Sequence, residues 1–332
     1  MDVCGRERTV KSSAQAVFLF TLSKPVKEYA EKLYATSSKR YRGRFAPSPT
    51  GPLHFGSLIA ALGSFLDARS RAGEWLVRME DLDPPREVKG AAVDILRSLE
   101  AFGIYWDNEV MYQSQRHDAY QQALEQLEQA GLIYPCGCSR REIQKNTSGS
   151  GTVYPGTCRN GLPQGREARS LRLRAPDLEL GFADRLQGDI RERLPEKSGD
   201  FVIRRADGLF AYQLAVVVDD AEQGITDIVR GADLLDSTCR QIFLQQSLGY
   251  ARTRYLHLPV ALNENGEKLS KQTRAPAVTP RQAVSSLTAA MRFLGQRVPE
   301  GLEDAQLGDF WDWALPNWES ERIPNSRLIG TH

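Results

Sequence analysis

The chain of 332 residues carries 43 Lys and Arg against 42 Asp and Glu, is 41% hydrophobic and holds five cysteines; this length suits one large domain or two modest ones. No stretch reaches the roughly 20 apolar residues of a membrane span. The odd number of cysteines, three of them clustered, argues against a disulfide framework and for a reducing, cytoplasmic setting with a metal site. Residues 1–41 have a net charge of +4 and the remainder −3, so the body will not coat nucleic acid non-specifically, and any RNA is held through a local patch.

Residues 1–41 are expected to be a poorly ordered extension, either a non-native upstream start or a loose tail with a helical piece at 25–35. The apolar run at 14–22 has basic residues on both sides, like a secretory signal, but no small-residue cleavage site follows it.

Residues 44–57 read Arg-Phe-Ala-Pro-Ser-Pro-Thr-Gly-Pro-Leu-His-Phe-Gly-Ser. They begin as a short strand from residue 41, and then Pro47, Pro49 and Pro52 fix φ and remove backbone donors. The apolar run that follows predicts a helix over 57–71 with Ser57 as N-cap. Strand, rigid turn and helix N-terminus make an anion-binding corner, where Gly56 lets a flat ring approach the backbone and His54 donates to a phosphate. His-x-Gly alone equally describes a capped helix after a proline turn.

The whole block resembles the first signature of the class I aminoacyl-tRNA synthetases in their glutamyl branch, whose Arg-Phe-Ala-Pro-Ser-Pro-Thr-Gly stands ahead of His-x-Gly. All eight residues, Arg44 to Gly51, are present. The second His common in this class is Ser57 here, leaving one imidazole for the phosphates. The resemblance implies ATP at His54 and Gly56, and L-glutamate at Arg44, Ala46 and Ser48.

Residues 74–79 form an apolar run that predicts a buried strand, ending in Glu80-Asp-Leu-Asp-Pro-Pro85. Carboxylates at the end of a parallel strand sit where open α/β sheets place ligand chemistry; an exposed acidic turn is the alternative. The glutamyl branch has Arg-x-Glu-Asp-x-Asp here, matched by Arg78, Glu80, Asp81 and Asp83, and the resemblance assigns the substrate ammonium group to Glu80. Amphipathic helices are expected at 90–103 and 114–131, and the alternation of strand and helix implies a parallel sheet.

Cys136-Gly-Cys138 is followed by a Gly/Ser/Thr-rich loop at 146–152 and by Tyr154-Pro-Gly-Thr-Cys158. Three cysteines in this span suggest Zn(2+), and a tetrahedral site needs a fourth ligand. Tyr154 is the local candidate, against water, a distant side chain, or no metal at all. A subgroup of shortened glutamyl synthetases carries the same Cys-x-Cys and Tyr-x₃-Cys pattern, and the resemblance implies one structural zinc on Cys136, Cys138, Tyr154 and Cys158.

Residues 169–190 read as antiparallel strands with a turn at Gly188, Asp207-Gly208 reads as a hairpin turn, and a helix starts near Tyr212 and closes at Asp219 and Asp220. A buried strand over 225–233 and a helix over 237–249 follow. Tyr212 would otherwise be core and Arg230 a surface ion pair; the resemblance places both on the glutamate side, where an Arg fork selects a γ-carboxylate. After a strand over 255–262, Lys268-Leu-Ser-Lys271-Gln resembles the class I Lys-Met-Ser-Lys-Ser loop, which implies ATP contacts at Lys268 and Lys271 and charge neutralisation by His54, Lys271 and Mg(2+). One helix is expected over 280–295, and the Trp-rich stretch 310–318 is read as packing against the body.

The expected fold is α/β, a class I synthetase Rossmann-type parallel sheet with an inserted zinc-containing module and a short helical C-terminal segment. The divisions are 1–41 extension, 42–132 first half, 133–190 inserted module, 191–250 second half and 251–332 loop and helical segment. No room remains after Gln272 for a large anticodon-binding region. The resemblance, over about 42–295, is therefore to the free-standing shortened glutamyl synthetases. It implies tRNA-independent activation of L-glutamate by ATP and transfer to queuosine in the anticodon of tRNA(Asp), by a monomer. The rival readings are a truncated enzyme charging an acceptor end and a non-catalytic zinc-containing RNA-binding paralogue.

Overall fold

The structure is a computed structural model that describes residues 41–145, 153–269 and 276–330. Residues 1–40 of the expected extension, the loop at 146–152 and Lys271 lie outside the described residues; Tyr41, the last residue of that extension, is buried and donates to Asp67.

The chain opens with β1 (Arg42–Phe45), α1 (Phe55–Arg69), β2 (Glu74–Met79), α2 (Ala91–Ala101), β3 (Met111–Tyr112) and α3 (His117–Gln129). β1, β2 and β3 pair in parallel with β2 central. Then follow β4 (Ile133–Cys136), α4 (Arg140–Lys145), β5 (Ser170–Leu173), β6 (Glu179–Asp184), β7 (Gly188–Arg193) and β8 (Phe201–Arg204). The chain continues through α5 (Tyr212–Glu222), β9 (Asp227–Gly231), α6 (Thr238–Ser247), β10 (Arg254–Leu258) and β11 (Val260–Leu262). It ends in α7 (Ala283–Phe293), α8 (Leu307–Ala314) and β12 (Leu328–Gly330).

β9 pairs in parallel with β10, whose far side takes β6 and then β7. The two sheets adjoin at β1 and β9, where Thr226 N–H donates to Arg42 O at 2.9 Å. The order across the join is β3-β2-β1, β9-β10-β6-β7. It reverses direction between β1 and β9, and such a switch point opens a crevice at the strand C-termini. The span 133–190 divides between two sheets: β4 pairs antiparallel with β5 and β5 with β8, while β6 and β7 extend the main sheet beside β10. Pro259, with no amide to donate, separates β10 from β11 within the single strand expected over 255–262.

α1 is buried almost all round, with Leu58, Leu62 and Leu66 at 0% exposure, because it lies between the sheet and α7. Trp75 on β2 stacks on Phe45 and meets Phe65 edge-on. The Trp-rich stretch is core, as its composition suggested: Trp311 is buried and its Nε1 donates to Phe102 O at 3.0 Å. Gly103, at φ +72°, permits this approach, since a Cβ there would stand 2.4 Å from Trp311 Nε1.

Candidate active site

The switch point holds a cleft of about 450 Å³. Its walls bring together Arg44, Ala46, Ser48, His54, Gly56, Glu80, Tyr212, Arg230 and Lys268. These residues come from the end of β1, the start of α1, the end of β2, the start of α5, the end of β9 and the loop after β11. Each stands where a strand ends or a helix begins, which is why residues far apart in sequence converge.

The N-cap of α1 is His54, not Ser57, and the helix begins two residues earlier than expected. Ser57 N–H donates to His54 Nδ1 at 3.3 Å, and His54 N–H donates to Ser57 Oγ at 3.2 Å. This reciprocal cap fixes the ring and leaves Nε2 as its donor nitrogen. Ser57, in place of a second imidazole, completes the cap. A Cβ on Gly56 would stand 2.9 Å from Leu269 O, so glycine here lets the loop after β11 pass close over the helix N-terminus. Lys268 in that loop pairs with Asp233 at 2.5 Å.

At the other pole, Asp220 takes Arg44 Nε at 3.1 Å and Arg78 Nη1 at 2.7 Å, and Arg78 Nη2 reaches Glu80 at 3.3 Å. Beneath them Asp219 accepts from Gln113 Nε2 and Tyr120 Oη, both at 2.8 Å. Burial pushes the Glu80 carboxyl above its ordinary range even though Arg78 and Arg44 oppose the shift. Burial works against the Asp220 carboxylate too, but Arg44 and Arg78 outweigh it and hold this group below that range. The Tyr212 phenol is pushed up by burial and by Glu80. The carboxylates of Glu80 and Asp220 and the guanidiniums of Arg44 and Arg78 thus form one buried ionic cluster at this end of the cleft.

Arg230 does not behave as a surface ion pair. It is 4% exposed and has no carboxylate partner among the described residues: Nε donates to His257 Nε2 and Nη2 to Thr238 Oγ1, each at 3.0 Å. Nη1 is buried with no partner among those residues. Asp219, Asp220, Asp184, Thr238 and His257 were not read as site residues from the sequence. The available signals were the Asp219-Asp220 doublet ending an apolar helix and the lone His257 inside the apolar strand Tyr-Leu-His-Leu, both charge-bearing groups where only burial was expected.

The three cysteine sulfurs, Cys136, Cys138 and Cys158, lie within 4.8 Å of one another. Tyr154 Oη joins them at 3.4 Å from Cys136 Sγ and 3.7 Å from Cys138 Sγ. Burial raises the Cys136 thiol, but its hydrogen bonds with Tyr154, with the Cys138 backbone and with Arg172, whose Nε stands 3.3 Å from the sulfur, bring it down to about 7. Arg172 also lies over the Tyr154 ring at 3.8 Å, and Arg166 Nη1 is 3.5 Å from Cys138 Sγ. Three sulfurs and a phenol oxygen at mutual contact, with two guanidiniums to offset anionic ligands, fit a tetrahedral zinc donor set. Cys158 N–H donates to Tyr154 Oη at 2.8 Å, which suits an oxygen that gives up its proton to a cation.

A parallel sheet whose switch point opens a cleft beside a His-x-Gly helix start has the architecture of a class I synthetase catalytic core. The profile of the family described as "tRNA synthetases class I (E and Q), catalytic domain" matches residues 40–287. The chain belongs to that family, and it is a ligase of the tRNA synthetase kind. A protein of Dechloromonas aromatica named glutamyl-Q tRNA(Asp) synthetase is 61% identical over 293 residues, spanning 87% of this chain and 97% of that protein. A protein of the same name from Chromobacterium violaceum is 58% identical over 294 residues, spanning 88% of this chain and 98% of its own. The crystal structure of a glutamate tRNA ligase from Elizabethkingia meningosepticum shares the fold, with a TM-score of 0.72 and 23% identity over 87% of this chain and 66% of that one. Among the described residues no helix is long and apolar enough to cross a membrane.

Proposed function

We propose that the protein activates L-glutamate with ATP, without needing tRNA, and transfers it to queuosine in the anticodon of tRNA(Asp). The observation that carries the glutamate half is Arg230: a buried guanidinium with no carboxylate partner and one unpaired nitrogen among the described residues, in a cleft that also holds Glu80. A buried cation left unneutralised is costly until an anion arrives. On this reading Arg230 takes the γ-carboxylate, Glu80 the ammonium group, and Arg44, Ala46, Ser48 and Tyr212 shape the remaining walls. The α-carboxylate then attacks the ATP α-phosphate, with pyrophosphate leaving. His54 Nε2, Lys268 and Lys271 supply positive charge to the phosphates, Gly56 makes room for the nucleotide, and Mg(2+) would accompany ATP. Zinc on Cys136, Cys138, Tyr154 and Cys158 would be structural, tying α4 and the segment around residue 158 to the β4-β5-β8 sheet.

The tRNA half rests on the relatives' names and on their coverage, since the chain spans nearly their full length. Glutamate-dependent ATP–pyrophosphate exchange without tRNA, followed by labelled-glutamate transfer to tRNA(Asp) with and without queuosine, tests both halves. Exchange without tRNA and transfer only to the modified tRNA support the reading. Exchange that requires tRNA(Glu), with glutamate on its acceptor end, replaces it with a shortened conventional enzyme; no exchange leaves a binding module.

A further inference from the structure

Arg230 is held by a neutral acceptor rather than by a carboxylate. His257 on β10 is fully buried. Its Nδ1 lies 2.6 Å from Asp184 Oδ2 and its Nε2 accepts from Arg230 Nε at 3.0 Å. Asp184 is itself fixed: its Oδ1 accepts the N–H groups of Leu186 at 3.0 Å, Gln187 at 2.8 Å and His257 at 3.3 Å. An ionised carboxylate accepts only, so the ring proton sits on Nδ1 and the lone pair on Nε2 faces the guanidinium. Thr238 Oγ1, 3.3 Å from the same Nε2, takes Nη2, so among the described residues one edge of the guanidinium is occupied and Nη1 remains.

We propose that His257, oriented by Asp184, is a positioning residue that aims Arg230 at the substrate's side-chain carboxylate, and so helps discriminate glutamate from glutamine. The inference rests on the reading that Arg230 binds glutamate. Its physical basis is a division of labour. A buried Arg needs an acceptor to fix its plane, but a carboxylate placed directly on it would cancel the charge the substrate must find. The imidazole supplies the acceptor and stands between the Asp184 charge and the guanidinium, so the cation stays unneutralised and oriented. A glutamine amide brings no charge to that cation and gains correspondingly less.

Two substitutions separate positioning from packing. In His257→Gln the side-chain oxygen reaches the place of Nε2 and can accept from Arg230. In His257→Asn the amide reaches only the place of Nδ1 and can satisfy Asp184 alone. The measurements are KM for glutamate and for ATP in ATP–pyrophosphate exchange, inhibition by glutamine, and thermal unfolding of each variant. The expected result is that His257→Asn raises KM for glutamate tenfold or more, the effect of one lost charge-assisted hydrogen bond. KM for ATP stays unmoved, the preference for glutamate over glutamine narrows, and His257→Gln recovers KM to within about threefold although both variants unfold alike. Should neither fold, Asp184→Asn serves: an amide facing Nδ1 moves the ring proton to Nε2, against Arg230, and the same rise in KM is expected. Equal KM values for the Asn and Gln variants, or an unchanged KM in Asp184→Asn, overturn the proposal. Arg230→Gln is the control for the underlying reading. If it leaves KM for glutamate unchanged, that reading fails; if it raises KM while the His257 variants do not, only the positioning role fails.

Discussion

Acid should weaken this fold through one buried ring. Burial holds the His257 imidazole down to about 4 against an ordinary value of 6.5; the Arg230 charge adds to this, and Asp184 and Asp233 oppose it. The unfolded chain takes up the proton below 6.5 and the folded chain does not until about 4, so this group's contribution is complete above 6.5 and is lost as the pH falls through that window. The gap corresponds to ~3 kcal/mol at ~1.36 kcal/mol per pH unit, most of it gone by pH ~4.5. Other groups act in the same range with the opposite sign: burial holds Glu80, Glu87 and Glu192 above their ordinary range, so they relieve strain as they protonate. The wild-type curve alone is therefore ambiguous, and the informative quantity is the difference from His257→Gln, which cannot titrate. Urea unfolding at pH 7.5 and 4.5 should show the stability gap between the two proteins shrinking by ~2–3 kcal/mol on acidification. A gap that stays constant would falsify the reasoning and mean that His257 titrates in the folded protein as it does in the unfolded chain.

Three other outcomes follow from the site. Asp220→Asn leaves Arg44 and Arg78 buried without their shared carboxylate and should cost ~3–5 kcal/mol, which thermal denaturation would register as a fall of roughly 6–10 °C; a loss under 1 kcal/mol would contradict the pairing. Glu80→Gln should raise KM for glutamate and flatten its dependence on pH: in the wild type KM climbs as the pH falls through the raised Glu80 value, and a variant with an unaltered pH profile would remove Glu80 from ammonium binding. The purified protein should contain one zinc per chain by atomic emission and lose it in Cys158→Ser; native protein free of metal, with all three thiols open to a thiol reagent, would refute the site.

The sequence made the strand ends legible because fold geometry gathers the motif residues there at one switch point. Arg44, Glu80, Tyr212 and Arg230 all line one cleft. The Cys-x-Cys and Tyr-x₃-Cys groups likewise converge. What sequence could not supply was partner choice. His257 sits in an apolar strand and reads as core until β6 is seen to bring Asp184 beside it. Ser57 fits the N-cap preference well, yet the cap went to His54 because the chain enters α1 extended at that residue, with φ −119° and ψ 170°. The division of 133–190 between two sheets was hidden because strand partners are set by long-range packing, not by local alternation.

Trp311 and Phe102, joined by one hydrogen bond, lie 209 residues apart in the chain. A ribosome delivers β2, α2 and the surface of Phe65 and Trp75 long before α8 emerges to cover them. Until then a nascent chain carries an uncovered aromatic face, the kind of surface chaperones engage. Interrupting translation before α8 would therefore leave every cleft residue named above synthesised but no finished wall behind them.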